Sequence, residues 1–232
     1  MSDPAVQAAE TREPQYQCCL DLRKKQGLTP LGLMSNYMWH SDPRHLVFLL
    51  SRYKFVSKML SGREHVLEVG CADAFGTRVV LQEVRKLTAV DFDPVFVQDT
   101  NSRMDERWKF ECRVHDMVEK PFAGTFDGAY ALDVLEHIPR EQENRFVGNI
   151  AASLTDHGIL ILGSPSLQSQ VHASAASKAG HVNCKDGPGL KALLSSFFDN
   201  VFVFSMNDEV VHTGYYPMAQ YLFGLACSKR RQ

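Results

Sequence analysis

The chain has 232 residues, 44% hydrophobic and 22% charged, enough to bury a core in one domain with appendages. Its 25 basic and 27 acidic side chains leave a net charge of −2, so it lacks the broad basic field that holds nucleic acid or an anionic membrane. No apolar stretch reaches membrane-spanning length, and the final basic run from Lys229 reads as a solubilising tail.

Residues 1–15 are polar, carry acids and lack an apolar leader; a disordered N-terminus is expected. Residues 16–62 are expected to be a helical cap. Asp42-Pro43 supplies an N-cap and a first-turn proline, and Leu46, Leu49, Leu50, Tyr53, Phe55, Val56 and Leu60 recur near helical spacing up to Gly62. From residue 63 the rhythm changes. Short β-rich runs at 65–69, 87–90, 109–114, 126–132 and 158–162 alternate with helical segments at 75–84, 94–104 and 140–154. This alternation implies βαβ crossovers and a parallel sheet over 63–232. Two further runs, 200–206 and 218–227, are joined too closely for a crossover helix and are expected to pair antiparallel. The six cysteines, Cys18, Cys19, Cys71, Cys112, Cys184 and Cys227, form no C-x-x-C pair. They read as free thiols in a reducing, cytoplasmic compartment.

Five motifs sit where strands end. Val66 to Gly76 runs from a strand through small residues into a helix, a turn that lets backbone approach a ligand closely. Asp91 ends the second strand, where a carboxylate can accept hydrogen bonds from ligand hydroxyls, and Phe92 follows it. His115-Asp116-Met117 follows the third strand. Phe126-Asp127 through Val134-Leu135-Glu136-His137 covers the fourth, and Gly158 to Pro165 the fifth.

Taken in order, these motifs resemble the class I S-adenosylmethionine-dependent methyltransferases of small-molecule type, over roughly residues 64–228. The resemblance implies an α/β, Rossmann-like doubly wound sheet of seven strands, order 3-2-1-4-5-7-6 with strand 7 antiparallel. It also implies S-adenosyl-L-methionine as cofactor, held by Glu68, Gly70, Cys71, Ala72, Asp91, Phe92, Asp116, Met117 and Asp133. Ala72 and Ala74 stand where the family's glycines are commonest, and alanine there calls for a negative φ.

Methyl transfer from a sulfonium needs alignment and often removal of a proton. His137 is the first candidate base, since imidazole is the side chain best suited to proton transfer near neutral pH, and His181 the next catalytic candidate. The long polar stretch 164–186 and the linker 207–216 add Asn183, His212 and Tyr215 as substrate candidates. Tyr37, Met38, Trp39 and His40 are candidates to close over the site. Arg44, Arg52 and Lys54 read as a solvated helix face. No metal is expected. The alternative is a divalent ion on Asp133, Glu136 and His137, a string similar to that of metal-assisted small-RNA 3′-end methyltransferases. The favoured acceptor is a small molecule, methylated on oxygen, with neither nucleic acid nor membrane as partner. A nucleic-acid methyltransferase, an NAD-binding oxidoreductase and a non-catalytic cofactor-binding protein are the alternatives. The N-P-P-Y type string of base-gripping enzymes is missing from the sequence.

Overall fold

A computed structural model describes residues 10–230, which divide into two compact units, one up to Leu31 and one from Gly32. In the first, a 3₁₀ turn at Pro14–Tyr16 leads into helix α1, Gln17–Gln26, which Gly27 ends at φ +75°, with Arg23, Lys24 and Lys25 on its negative terminus. Of the N-terminus expected to be disordered over 1–15, residues 1–9 lie outside the described residues. Of the helical cap expected over 16–62, only the part from Gly32 onward belongs to the second unit.

The second unit opens with α2, Leu33–Ser41, and α3, Pro43–Met59. Asp42 caps α3 by accepting a hydrogen bond from the Arg44 amide at 3.2 Å, and Pro43 occupies the first turn. One face of α3 buries Leu46, Tyr53 and Val56, and Leu60 comes directly after it. The sheet strands are β1 (Val66–Val69), β2 (Leu87–Asp91), β3 (Glu111–Val114), β4 (Phe126–Leu132), β5 (Leu154–Pro165), β6 (Phe198–Asn207), β7 (Val210–His212) and β8 (Tyr221–Lys229). Between them lie α4 (Thr77–Leu81), α5 (Pro94–Ser102), α6 (Glu143–Ser153), α7 (Ala175–Gly180) and α8 (Gly187–Ser195).

The order is β3-β2-β1-β4-β5-β8-β6-β7, with β3 to β5 parallel and β8 antiparallel to both β5 and β6. This is the expected seven-strand arrangement with its reversed penultimate strand, now β8. An eighth strand, β7, comes from the linker 207–216, which folds back on β6 in a hairpin pairing Asn207 with Val210. Every residue of β1 and β2 is buried, as a parallel sheet covered on both faces requires. One apolar layer joins Leu67, Ala129, Phe146, Ile150, Leu194 and Leu222 on the α6 and α8 side; the other joins Tyr53, Val56, Val66, Val80, Tyr130 and Phe223 on the α3 and α4 side.

The stretch 164–186, expected to be a loop, contains a 3₁₀ segment, Gln168–His172, and α7. Ser166 and Ser169 of this stretch donate from their hydroxyls to backbone carbonyls. Ser166, fully buried, donates from Oγ to the Ala219 carbonyl at 2.6 Å and from N to Gln220 at 3.0 Å. Among the described residues no helix is long and apolar enough to cross a membrane. The C-terminal ends of β1 and β4, adjacent strands whose connections run in opposite directions, open on one edge at the topological switch point.

Candidate active site

The turn after β1 starts from Gly70 at φ +74°. A side chain there would run into Val134 Cγ2, so only glycine fits both the backbone and the space. Ala72 and Ala74 also take left-handed angles, φ 45° and 51°. Negative values were expected from the sequence, so the turn keeps the glycine-type path and carries the strain of two alanines instead. Hydrogen bonds hold it there. The Gly70 and Cys71 amides donate to the Val90 carbonyl at 2.8 and 3.1 Å. The Ala72 amide donates to Asp91 Oδ2 at 2.8 Å, and Asp91 Oδ1 takes the Asp93 amide at 2.9 Å.

Beneath the turn, Glu68 is buried and accepts hydrogen bonds from Tyr53 Oη at 2.7 Å and Thr77 Oγ1 at 2.6 Å. Burial outweighs those bonds and pushes its carboxyl up to about 7. Above the turn, Asp73 accepts the Ser35 amide at 2.6 Å and the Ser35 hydroxyl at 3.3 Å, and also the Phe75 amide at 3.2 Å. The Leu33 amide finds Asp99 at 3.3 Å, so two carboxylates meet the positive N-terminus of α2. Arg103 ties these acids together, donating to Asp99 Oδ2 and to the Asp73 carbonyl, both at 2.7 Å.

At the end of β4, Asp133 is left-handed at φ 57° and its carboxylate accepts from Arg52 Nη1 at 2.7 and 2.8 Å. The Arg52 guanidinium lies 4.0 Å over the Tyr221 ring, and its Nε is buried without a partner. Arg52 is therefore not on the solvated face expected of it; only 21% of its side chain is exposed.

The 3₁₀ turn Leu135–His137 comes next. The Glu136 carbonyl accepts the Val182 and Asn183 amides at 2.8 and 3.0 Å, which brings His181 beside His137 with ring centroids 5.2 Å apart. Glu136 is 1% exposed and its Oε2 has no partner. Burial, then repulsion from Asp133, pushes its carboxyl well above the usual range. Burial and the neighbouring His137 lower the His181 imidazole.

These parts enclose a cavity of about 340 Å³. Gly70, Cys71, Ala72 and Asp73 form one wall, and Arg52, Asp133, Glu136, His137 and His181 another. Met34, Met38, Phe48 and Leu49 of α2 and α3 close over it.

The methyltransferase-domain family matches residues 66–158. Over that segment the chain is similar to methyltransferase domains. A Mycobacterium tuberculosis protein named a probable S-adenosylmethionine-dependent methyltransferase is 28% identical over 119 residues, half of this chain; the chain spans 42% of the length of that relative. The N-methyltransferase NodS from Bradyrhizobium japonicum WM9 is similar in fold at 18% identity, TM-score 0.59, covering 82% of this chain and 99% of NodS. A TehB-like S-adenosylmethionine-dependent methyltransferase from Corynebacterium glutamicum is 12% identical with TM-score 0.59, covering 93% of this chain and 96% of its own.

The Mycobacterium tuberculosis and Corynebacterium glutamicum proteins are named as S-adenosylmethionine-dependent, and the residues present here fit that cofactor. The glycine cradle at Gly70 would be filled by any Cβ, and the cavity lies along the turn that wraps a ligand. Of the methyltransferase residues read from sequence, Gly70, Cys71, Ala72, Asp133, His137 and His181 come together at the cavity. Glu68 lies under the turn as its brace. Asp91, Phe92, Asp116 and Met117 stand in and after β2 and β3, outside the cavity lining. Phe92 is exposed, Met117 is buried, and Asp116 caps a local turn by accepting the Val118 amide at 2.7 Å.

Three substrate candidates do not reach the cavity. Asn183 turns its amide to Glu143 at 2.7 Å, next to the enclosed Lys185–Glu143 ion pair at 2.6 Å. His212 is held in the β6–β7 hairpin by Asn207 at 2.9 Å and the Gly214 amide at 3.0 Å, and Tyr215 is exposed beside Tyr216. Of the expected aromatic group, only Met38 lines the cavity, while Tyr37 and Trp39 are exposed. Asp133 is engaged by Arg52, and among the described residues the group whose ligand atoms lie within 4.8 Å of one another is Glu136, His137 and His181 rather than Asp133, Glu136 and His137. The place of Arg52 does have a signal in the sequence: it lies three and four residues from Leu49, Phe48 and Val56, on the apolar face of α3.

Proposed function

We propose that the chain transfers a methyl group from S-adenosylmethionine to an oxygen of a small-molecule acceptor bound in this cavity. The observation that carries the reading is the placement of His137 and His181 in one cavity with the Gly70 turn. The cofactor supplies an electrophilic methyl on a sulfonium, whose departure as a thioether needs no acid. The chain's own residues then have three tasks. The Gly70 turn, which the Asp91 carboxylate braces through the Ala72 amide, holds the cofactor. Met34, Met38, Phe48 and Leu49 exclude water and favour an acceptor with an apolar part. His137, whose Nδ1 faces the Gly180 carbonyl at 3.0 Å and so carries the proton, keeps a bare Nε2 able to take the acceptor's hydroxyl proton. A small acceptor, rather than nucleic acid, is supported by the near-neutral charge and the cavity's size. A cytoplasmic setting is supported by the six free cysteines.

The test is calorimetry with S-adenosylhomocysteine and NAD. The expected result is micromolar binding of the first, none of the second, and a loss of about tenfold or more in Asp91→Ala. Unchanged affinity in that variant, or binding of NAD instead, would overturn the assignment. Release of S-adenosylhomocysteine in a screen of hydroxylated acceptors then tests the acceptor class.

A further inference from the structure

We infer that Glu136, His137 and His181 are the protein ligands of a divalent transition-metal ion of the Zn²⁺, Co²⁺ or Mn²⁺ class, bound in the cavity wall with a position left open for the acceptor. The first observation is Glu136 itself. Its side chain is 1% exposed, yet Oε2 meets no donor, and a carboxylate oxygen removed from water without a partner is costly unless something else compensates it. The second is the state in which both histidines are held. His137 Nδ1 lies 3.0 Å from the Gly180 carbonyl, and His181 Nδ1 lies 2.9 Å from Gln170 Oε1. Both partners are oxygens that only accept, so each Nδ1 is the protonated nitrogen and each Nε2 carries a free lone pair. The Gln170 amide is itself oriented, because its Nε2 donates to the Ser166 carbonyl at 3.2 Å and to Ser169 Oγ at 3.3 Å. Two imidazoles fixed in one tautomer by carbonyl partners are the outer-shell pattern of metal-binding histidines.

Geometry agrees. One ligand atom from each of the three residues lies within 4.8 Å of the other two. Around a tetrahedral ion, ligand atoms about 2.1 Å from the metal stand roughly 3.4 Å apart, so the set closes by at most about 1.4 Å. His137 is exposed and His181 half-buried, which leaves both rings room for that adjustment. The backbone is already in place, since the Glu136 carbonyl gathers the Val182 and Asn183 amides, and Asn183 and Lys185 both anchor on Glu143. Arg52 does not compete with the ion, because its charge is matched by Asp133 at 2.7 Å. One oxygen and two imidazoles suit a borderline transition ion better than Mg²⁺ or Ca²⁺, which prefer all-oxygen shells.

The use of such a site rests on the methyl-transfer reading. Such an ion would make a hydroxyl at its open position more acidic, so that the proton could leave to solvent. The C–S bond then breaks as the O–C bond forms, leaving an ether and a neutral thioether. In that state His137 serves as ligand, and no side-chain base is needed.

The experiment separates the two readings. EDTA-treated full-length protein is titrated with Co²⁺ and with Zn²⁺, following the visible absorption of Co²⁺ and the heat of Zn²⁺ binding, and the same samples are titrated with S-adenosylhomocysteine. One equivalent of each metal is expected, with a Co²⁺ spectrum of four or five ligands. Affinity should fall at least tenfold in His137→Ala and His181→Ala, and about tenfold in Gln170→Leu, which touches no metal and loses only the lock on the His181 tautomer. All three variants should keep S-adenosylhomocysteine binding, which also shows that they fold. No stoichiometric uptake, or uptake unchanged in both histidine variants, overturns the metal site. Loss of S-adenosylhomocysteine binding by the wild-type chain would overturn the cofactor reading instead.

Discussion

Glu68 makes the stability of this protein depend on pH in an uncommon direction. Its carboxyl ionises at its ordinary 4.5 in the unfolded chain and at about 7 in the folded one, because burial outweighs the bonds from Thr77 and Tyr53. Between those values the folded state holds the proton and the unfolded state does not, so folding weakens as pH rises. Above about 7 both states are ionised and the loss is complete. At about 1.4 kcal/mol per pH unit, the interval comes to about 3 kcal/mol, a large share of a typical domain's stability. Glu68→Gln removes the titration while keeping the shape. In urea unfolding of the unliganded protein, the variant should gain about 3 kcal/mol on the wild type between pH 5 and pH 8. Comparison at two pH values cancels any fixed cost of the amide, and it also cancels the opposite trend from His65 and His181, whose lowered values strengthen folding as pH rises. An equal gap between variant and wild type at both pH values would refute the reasoning.

The two left-handed alanines give a paired prediction. Ala72→Gly should stabilise by about 0.5–1 kcal/mol, the relief of roughly 1–2 kcal/mol of backbone strain less the extra freedom of glycine in the unfolded chain. Ala74→Gly should be nearly neutral by thermal unfolding, because its methyl is buried and its loss costs about 0.8 kcal/mol. A destabilised Ala72→Gly would show that the turn is not strained there. Asp133→Asn tolerates the same φ but strips Arg52 of its counter-charge, and should cost about 2 kcal/mol. Adding Arg52→Met should recover most of that in a double-mutant cycle, and simple additivity would argue against the pair.

How much of this could be read from sequence depended on whether one residue's neighbours lie close along the chain. Strands such as β1 and β2, buried on both faces, announce themselves as runs of Val, Leu and Ala. The Asp42-Pro43 start of α3 is equally local. β7 was not legible, because Val210-Val211-His212 is a strand only through its pairing to β6. Nor was α7, whose short Ala-Ala-Ser-Lys run shows no apolar period. In the site, Gly70 and His137 could be found by spacing, whereas the role of Arg52 depends on Asp133, 81 residues away. Asn183 shows the reverse: its type suggested substrate, but its neighbours Glu143 and Glu136 claim both its side chain and its amide. The φ of Ala72 differs from expectation because intrinsic preference yields to the Asp91 bond that enforces the turn.

Asp73 joins two structures that look separate in the chain. Its one carboxylate serves the Ser35 amide and hydroxyl from α2 and the Phe75 amide from its own turn. The roof and the floor of the cavity therefore share a fastening. Lifting α2 to let a ligand pass unloads the same two oxygens that shape the turn beneath, so traffic through the roof is felt by whatever the floor is holding.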